Sequence, residues 1–332
     1  MIITKSSTTL KKKFGDSKIF TRIEDDYYKP IVYSRIEAED LTIGSGTQIN
    51  EGVYIKGSKI TIGKRVKVYS NTIILVDHLY IGDDVVVQNN CRIEGLSVVV
   101  GDNARILHHA EIGGGSCFDK TSELVVGNDC YIGSYSHINI ARKVCIGDNV
   151  GLGRGTCIFT HAAYLSCLEG YPSKFDPVTI KDNVWIPGAI ITPGVTIGPN
   201  CVVGVGSVVN KDILPGSFSA GVPAVVKARR KYPESVNEST KLSILSSIIE
   251  YVLQGNGTIY TKKNNGKENV FITDEHVILV DGLIKLYRNT YPSEEASTII
   301  DVDNKTISGE YNEFVDRLKH QFRRNGVRLT YE

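Results

Sequence analysis

The sequence predicts a mainly β fold, in which a parallel β-helix is followed by a small α+β domain. Aliphatic residues recur about every six positions from Leu41 to Val226, and this period is typical of a solenoid of short strands. Glycine-rich corners lie between the aliphatic positions, where a tight turn needs a residue that tolerates positive φ. Beyond Val226 the period ends and helical spacing takes its place.

The clearest repeats lie between Val178 and Val209. A six-residue period is too long for a helix and too regular for ordinary strands, so it favours a short strand, a turn and a change of direction, repeated. Inward residues alternate with outward ones because successive strand side chains point to opposite faces. The predicted inward positions here are Ile180, Ile186, Ile197, Val203 and Val209.

The repeat defines three segments of the chain. Residues 1–40 carry no repeat and are interpreted as an N-terminal cap or arm, since the open end of a solenoid needs a polar cover. Residues 41–231 form the predicted β-helix domain. Two stretches, 113–123 and 161–177, break the repeat and are predicted to be loops that leave the solenoid.

The segment 232–332 is predicted to be a separate α+β domain. Its apolar spacing indicates an amphipathic helix over 234–254, which Gly255 and Gly257 end. A second helix is predicted over 310–324, before a last strand. No motif in this domain indicates a chemistry, so its role stays open. The strand-like runs lie at 258–262, 269–273, 276–281 and 283–287.

Composition excludes several classes of function. The net charge of the 332 residues is +1, so no basic field favours nucleic acid. No run of 18 apolar residues indicates a transmembrane segment, and no secretory signal is visible. The seven cysteines are an odd number, and Cys91, Cys130 and Cys201 fall at inward positions. We therefore expect reduced, structural thiols and a cytoplasmic protein.

Residues 176–189 (DPVTIKDNVWIPGA), 193–213 (PGVTIGPNCVVGVGSVVNKDI) and 220–224 (AGVPA) carry a specific resemblance. They resemble the hexapeptide-repeat acyltransferase superfamily, which includes galactoside and maltose O-acetyltransferases and acetyltransferases of surface polysaccharides. The resemblance extends over about residues 41–226. It implies a left-handed parallel β-helix, acetyl-CoA as co-substrate, no metal, and a homotrimer with sites at its subunit interfaces.

The resemblance implies two catalytic groups. His161 opens the second loop, where the family places its general base, and an imidazole titrates in the range needed to accept a proton from the acceptor. Gly188 stands where the family uses a backbone N–H to stabilise the thioester oxygen. The alternatives are a loop histidine without a role and an ordinary corner glycine. The segment from Trp185 to Gly194 is one residue shorter than is usual in the family.

The same resemblance implies contacts for coenzyme A. The pantetheine chain is expected near Gly204 and Val205, and Asn210 and Lys211 match a Thr-Lys pair of the family. Lys211 is thus a candidate phosphate contact or an ordinary surface lysine. Where the family places arginines after AGVPA, this chain has Val225 and Ala228. Lys227, Arg229 or Arg230 are the candidates to replace them, and the alternative is an ordinary charged linker.

Three aromatic residues are candidates for acceptor binding. Trp185 occupies an outward position and lines the site between acceptor and thiol in the family; the alternative is packing between subunits. Tyr164 and Tyr171 lie in the second loop, where they are placed to stack on a sugar.

The combined prediction is an acetyl-CoA-dependent O-acetyltransferase that acts on a sugar of a surface polysaccharide or its precursor, by direct transfer. A hydroxyl acceptor needs a base more than an amine does, which favours O-transfer. An N-acyltransferase of a nucleotide-linked amino sugar is the first alternative. A non-catalytic β-helix scaffold is the second, in which the C-terminal domain would be the interaction module.

Two other classes fit less well. A zinc site on a β-helix needs three converging histidines, but His108 and His109 are adjacent and on a strand would point to opposite faces. His78 and His137 have no partner at a matching spacing. A nucleotidyltransferase would need a glycine-rich nucleotide-binding domain, which residues 1–40 do not supply.

Overall fold

The computed structural model describes residues 20–23, 31–32, 34–255, 257–264, 268–273, 276–281, 283–288, 296–310 and 312–331. The chain divides into two compact units, residues 1–233 and 234–332. In the described part of the chain, no helix combines the length and the apolar character that crossing a membrane requires.

The first unit is a parallel β-helix built from two large sheets. The first sheet has 14 strands, and beyond Arg92–Val100 it divides into two branches, so that each later coil contributes to three faces. We call them face one, the 11-stranded face two, and face three.

The main path of the first sheet, which becomes face one, contains Phe20–Ile23, Arg35–Ile43, Tyr54–Ile62, Ile73–Ile81, Arg92–Val100, Glu111–Ile112, His137–Ile138, Cys157–Ile158, Ala189–Ile191 and Ser207–Val209. Face three continues through Glu123–Val126, Val144–Ile146, Val178–Ile180 and Thr196–Ile197. Face two contains Ile31–Val32, Gln48–Ile49, Lys67–Val68, Val86–Val87, Arg105–Ile106, Tyr131–Ile132, Gly151–Leu152, Trp185–Ile186, Val202–Val203, Ser217–Ala220 and Val225–Lys231. All these neighbours are parallel except the last pair on face two.

The core consists of columns of aliphatic side chains in register from coil to coil. Each such side chain contributes about 1.5–3 kcal/mol when it is fully buried. In the early coils, paired residues are nineteen positions apart, one more than three exact hexads. The column on face one contains Ile36, Ile55, Ile74, Ile93, Ile112, Ile138, Ile158, Ile191 and Val209. The predicted β-helix is therefore confirmed.

The strand pairing begins inside the segment interpreted as a cap. Phe20–Ile23 pairs in parallel with the second half of Arg35–Ile43, and Ile31–Val32 pairs with Gln48–Ile49. The other residues before Ser34 lie outside the described part of the chain.

The second unit is an α+β domain with a seven-stranded sheet and two helices, α1 (Glu238–Gly255) and α2 (Glu313–Arg324). Its strands follow chain order and are antiparallel except for the last pair. The core includes Leu245 and Ile249 of α1, Phe322 of α2 and Phe271 of the sheet. The strands are Thr261–Asn264, Asn269–Ile272, His276–Val280, Ile284–Arg288, Thr298–Asp301, Thr306–Gly309 and Thr330–Tyr331.

Candidate active site

The catalytic candidates lie at two different edges of the solenoid. The glycine edge is the turn from face two to face one in the late coils, residues 154–155, 187–188 and 204–206. The histidine edge consists of the residues that follow face one, 139–142, 159–177, 192–194 and 210–212. Gly188 directly precedes the strand Ala189–Ile191, and His161 follows Cys157–Ile158, the strand paired with it. Gly155 occupies the corner equivalent to Gly188 in the coil that carries His161, six residues before it. Six extended residues span at most about 20 Å, which is the largest separation of the two edges along face one.

His161 is held by the base of the second loop. His161 and Ala162 pair antiparallel with Lys174 and Phe175, which closes the loop on itself. The imidazole stacks on the Phe175 ring, with centroids 5.7 Å apart and planes at 19°. The Arg142 guanidinium lies 4.9 Å from the centroid of that same ring. The half-buried imidazole therefore has a defined orientation.

A hydrogen bond that His161 donates to Asn139 places a hydrogen on Nδ1 of the imidazole. The Nδ1 atom of His161 lies 2.9 Å from Oδ1 of Asn139. The amide orientation of Asn139 is itself determined, since its Nδ2 atom faces the carbonyl oxygens of Gly113 and Gly114 at 3.3 and 2.9 Å. Oδ1 also accepts from Thr160 Oγ1 at 2.8 Å. An amide carbonyl oxygen can only accept, so Nδ1 of His161 carries a hydrogen, and in the neutral imidazole the lone pair lies on Nε2.

The first loop covers the reactive side of the imidazole. A Cβ placed on Gly115 would lie 3.4 Å from Cε1 and 3.6 Å from Nε2 of His161. The loop is fastened to the histidine edge through Asn139, whose side chain is 1% exposed. The first loop was predicted from the sequence, but its place beside His161 was not, and neither was the role of Asn139. The repeat contains a signal that could have predicted this contact, because both loops leave the solenoid after strands of face one.

The corner at Gly188 interrupts a regular series of hydrogen bonds. At the equivalent corners of earlier coils, a backbone N–H donates to a backbone carbonyl oxygen of the preceding coil. The donors are Asn90, His109, Tyr135 and Gly155. Within the described residues no such bond involves the Gly188 N–H, whose φ of +149° differs from the others. Instead the Gly188 carbonyl accepts from the N–H of Gly206 at 2.7 Å. Among the described residues, the Gly188 N–H therefore has no backbone acceptor.

Trp185, Gly204 and Val205 lie beside this corner. The Trp185 ring covers Gly151, where a Cβ would meet Cε3 at 2.5 Å, and about half of its side chain remains exposed. Val205 is 77% exposed at the turn that follows face two. Gly204 approaches Ala220 so closely that a Cβ would lie 2.7 Å from the alanine Cβ. The structure therefore places these three predicted residues near Gly188.

Four other predicted residues lie on the histidine edge. Asn210 and Lys211 are exposed at the end of Ser207–Val209, on the side of the solenoid that carries His161. Tyr164 is almost fully exposed near the tip of the second loop, and Tyr171 is about half exposed. No contact of these tyrosines with His161 is present among the described residues.

The two basic candidates after AGVPA lie on the last strand of face two. Lys227 is exposed on Val225–Lys231, which pairs antiparallel with Ser217–Ala220. The backbone of Arg229 belongs to the same strand, but its side chain lies outside the described part of the structure.

The inward cysteines are buried thiols. Cys91, Cys130 and Cys201 are buried as predicted, and burial raises the pKa of Cys91 to about 11. Cys167 is exposed in the short 3₁₀ helix Cys167–Glu169 of the second loop. Among the described residues, no cluster of three or more His, Cys, Asp or Glu is arranged to hold a metal ion.

Comparison with known proteins identifies the repeat. Residues 177–211 match the family model described as bacterial transferase hexapeptide (six repeats). The hexapeptide repeat predicted from the sequence is therefore confirmed. No curated protein matches the chain.

Several solved structures are similar to part of the chain. A hexapeptide-repeat-containing acetyltransferase from Vibrio cholerae is 25% identical over 47% of this chain and 74% of its own, with a TM-score of 0.32. A maltose O-acetyltransferase from Clostridium difficile is 29% identical over 52% and 70%, with a TM-score of 0.29. AntD, an N-acyltransferase from Bacillus cereus, is 18% identical over 54% and 92%, with a TM-score of 0.39.

Proposed function

We propose that this chain is an acetyl-CoA-dependent acyltransferase that acetylates a hydroxyl group of a sugar, in a surface polysaccharide or its precursor. The observation that carries the proposal is the hydrogen bond from Nδ1 of His161 to Asn139, which in the neutral imidazole leaves Nε2 as the proton acceptor, beside Gly115 of the first loop. The matched transferase repeat and the free N–H at Gly188 support it.

His161 acts as the general base. Its Nε2 atom accepts the proton of the acceptor hydroxyl as the acceptor oxygen bonds to the acyl carbon, and the Asn139 oxygen stabilises the resulting imidazolium through Nδ1–H. The imidazolium then returns the proton to the departing sulfur as the C–S bond breaks. The transfer is direct, because the exposed thiol of Cys167 lies in the second loop without an adjacent base among the described residues.

The glycine edge supplies the second half of the chemistry. Acetyl-CoA provides an acyl group activated as a thioester. The Gly188 N–H donates to the oxygen that gains charge as the acceptor adds. Trp185, Gly204 and Val205 line the path of the pantetheine chain. The basic groups of Lys211, Lys227 and Arg229, together with Asn210, are the candidates for binding the CoA phosphates.

The separation of the two edges favours a site shared between subunits. His161 and Gly188 of one chain lie at opposite ends of the paired strands of face one, whereas a base must approach within about 3 Å of the proton that it removes. A cyclic trimer would bring the histidine edge of one copy against the glycine edge of the next. We therefore propose a homotrimer with three equivalent sites in the cytoplasm.

Proton-transfer chemistry favours a hydroxyl over an amine as the acceptor. A hydroxyl does not lose its proton near neutral pH without help, whereas an amine of moderate pKa arrives deprotonated. A base with a fixed tautomer is thus of greater use in O-transfer. N-transfer to an amino sugar is the alternative reaction at the same site, with Tyr164 and Tyr171 as candidate sugar contacts in both cases.

The first test combines acetyl-CoA binding with a His161→Ala variant. Calorimetry should show micromolar binding of acetyl-CoA with about one site per chain. In an assay of free-thiol release with sugar acceptors, His161→Ala should lower turnover by roughly 10²–10⁴-fold. His78→Ala is the matched control, because His78 is an exposed histidine on Ile73–Ile81, outside both edges.

Two outcomes would contradict the proposal. Full turnover by a folded His161→Ala variant would remove the general base. Absence of acetyl-CoA binding at millimolar concentration would favour the non-catalytic scaffold instead.

A further inference from the structure

Three flat side chains are stacked along the corner that leads to Gly188. The rings of His109 and Tyr135 are parallel to within 11°, with centroids 4.9 Å apart. The guanidinium carbon of Arg154 lies 4.8 Å from the centroid of the Tyr135 ring. His109 lies at a corner, with a φ of +58°. The prediction that His109 lies on a strand is therefore wrong. We call these three residues the corner stack.

The corner stack ends where the corner positions become glycine. Gly155, Gly188 and Gly206 follow Tyr135 in the same series of corner positions, and all three have positive φ. A Cβ on Gly155 or on Gly206 would meet no atom within 4 Å. We call the surface along these three glycines the trough: it is open at Gly155 and Gly206, and Arg154 directly precedes Gly155 in the chain.

Arg154 brings an uncompensated positive charge to the end of this trough. It is exposed, and no carboxylate among the described residues pairs with it. Arg65 and Arg142, by contrast, lie near Asp84 and Asp119. The contact with Tyr135 restricts the guanidinium without occupying its N–H groups. A planar, oriented guanidinium of this kind matches the two oxygens of a carboxylate or phosphate.

The position of the trough indicates what binds there. This step rests on the proposed function, in which the Gly188 N–H binds the thioester oxygen and the CoA chain passes Gly204 and Val205. The space beside Gly206 is then occupied by CoA. The acceptor must approach the same carbonyl from the other side, which is the Gly155 end of the trough below Arg154.

We propose that Arg154 binds the acceptor and that the acceptor is an anionic sugar. The guanidinium binds a carboxylate or phosphate group of the sugar, while the sugar ring lies over Gly155. Tyr135 is a positioning residue that holds the guanidinium through its ring. The corner stack thus selects acidic sugars over neutral ones.

The test measures sugar binding to the full chain saturated with CoA, by ligand-observed NMR at constant ionic strength. The probes are D-glucose, D-glucuronate and D-glucose 6-phosphate. At least one of the two anions should bind about 10-fold or more tightly than glucose, since hydrogen bonds between charged groups are worth about 1.5–3 kcal/mol. The stronger of the two anions identifies carboxylate or phosphate as the group recognised.

Variants then assign the preference to the corner stack. Arg154→Ala should lower the affinity for the preferred anion by about 10- to 100-fold and leave the weak binding of glucose unchanged. Tyr135→Leu should weaken anion binding, whereas Tyr135→Phe retains the ring and should preserve it. Arg65→Ala removes the same charge from another edge and should have no effect on the preference.

The inference is overturned if glucose binds as tightly as the anions, if none of the three sugars binds, or if Arg154→Ala keeps the preference. These failures are distinct from a failure of the proposed function. Acetyl-CoA binding and the effect of His161→Ala test the acyltransferase, and either can succeed when the anion preference is absent.

Discussion

At the residue scale, the hydrogen bonds of the Asn139 side chain determine how the imidazole of His161 is oriented. Asn139 is buried, and its two Nδ2 hydrogens face carbonyl oxygens of the first loop. Its Oδ1 atom is thereby directed toward Thr160 and His161. Because this oxygen can only accept, a hydrogen of the imidazole is held on Nδ1, and Nε2 is the atom that the proposed function assigns as the base.

Replacing Asn139 tests this arrangement. In Asn139→Ala the imidazole loses the acceptor for Nδ1–H, and we expect turnover to fall by about 10- to 100-fold while the KM for acetyl-CoA changes little. The ¹⁵N spectrum of His161 should show the hydrogen on Nδ1 in the wild type and a mixture of tautomers in the variant.

A merely structural role for Asn139 would give a different result. It would lower the melting temperature and the amount of folded protein without changing the tautomer of His161. An unchanged tautomer in a folded Asn139→Ala variant would contradict the account.

The sequence predicts a role for His161 but indicates none for Asn139 or Arg154. His161 opens a break in the repeat and stands before a specific motif, and both signals are visible in the linear sequence. Asn139 acts on a residue 22 positions away, and the contact of Arg154 with Tyr135 joins neighbouring coils. Such contacts depend on coil length, which the two loop insertions change.

At the element scale, the two loops cooperate because both leave the solenoid at the histidine edge. The first loop follows Glu111–Ile112 and the second follows Cys157–Ile158, and these strands lie on the same face. The intervening coil carries Asn139, which binds the first loop. The backbone of Gly115 is thus brought against the imidazole of His161.

A side chain on the first loop should therefore block the base. Gly115→Asn keeps a residue that tolerates positive φ and places its side chain within about 4 Å of Nε2. We expect the turnover number to fall by about 10-fold or more, with acetyl-CoA binding retained in calorimetry.

Gly170→Asn is the matched control for this variant. Gly170 has a φ of +85° in the second loop, and a Cβ there meets no atom within 4 Å. It should retain activity. Equal turnover of the two variants would show that the first loop does not border the reaction.

The elements of the solenoid follow from the sequence more directly than those of the second unit. Coil positions repeat, so every aliphatic residue in a column supports the same prediction. In the second unit the predicted helices begin at Glu238 and Glu313, a few residues later than the apolar spacing indicated. The strands Thr298–Asp301 and Thr306–Gly309 were not predicted; the turn between them is formed locally by Asp301, whose carboxylate accepts the N–H of Asn304.

At the scale of the whole molecule, the proposed function assigns complementary halves of one reaction to the two edges of the solenoid. The histidine edge carries the proposed base, and the glycine edge carries Gly188, Trp185 and the trough. The proposed reaction therefore requires two copies of the chain. This assembly could not be derived from the repeat alone, because hexads specify the coils but not the edge that each insertion will occupy.

Complementation between two inactive chains tests this central claim most directly. The first chain carries His161→Ala, and the second carries Gly206→Asn, which fills the open position of the trough with a residue that tolerates its φ of +72°. The chains are co-expressed with different tags, and the mixed assemblies are isolated by both tags.

Each mixed trimer contains one interface that joins an intact histidine edge to an intact glycine edge. The account predicts that the mixed trimers recover about one third of wild-type turnover, since one of three equivalent sites is restored. Parent assemblies purified separately and combined without exchange should remain inactive. Mixed trimers with no more activity than the parents would show that the site is not shared between chains, and would contradict the account.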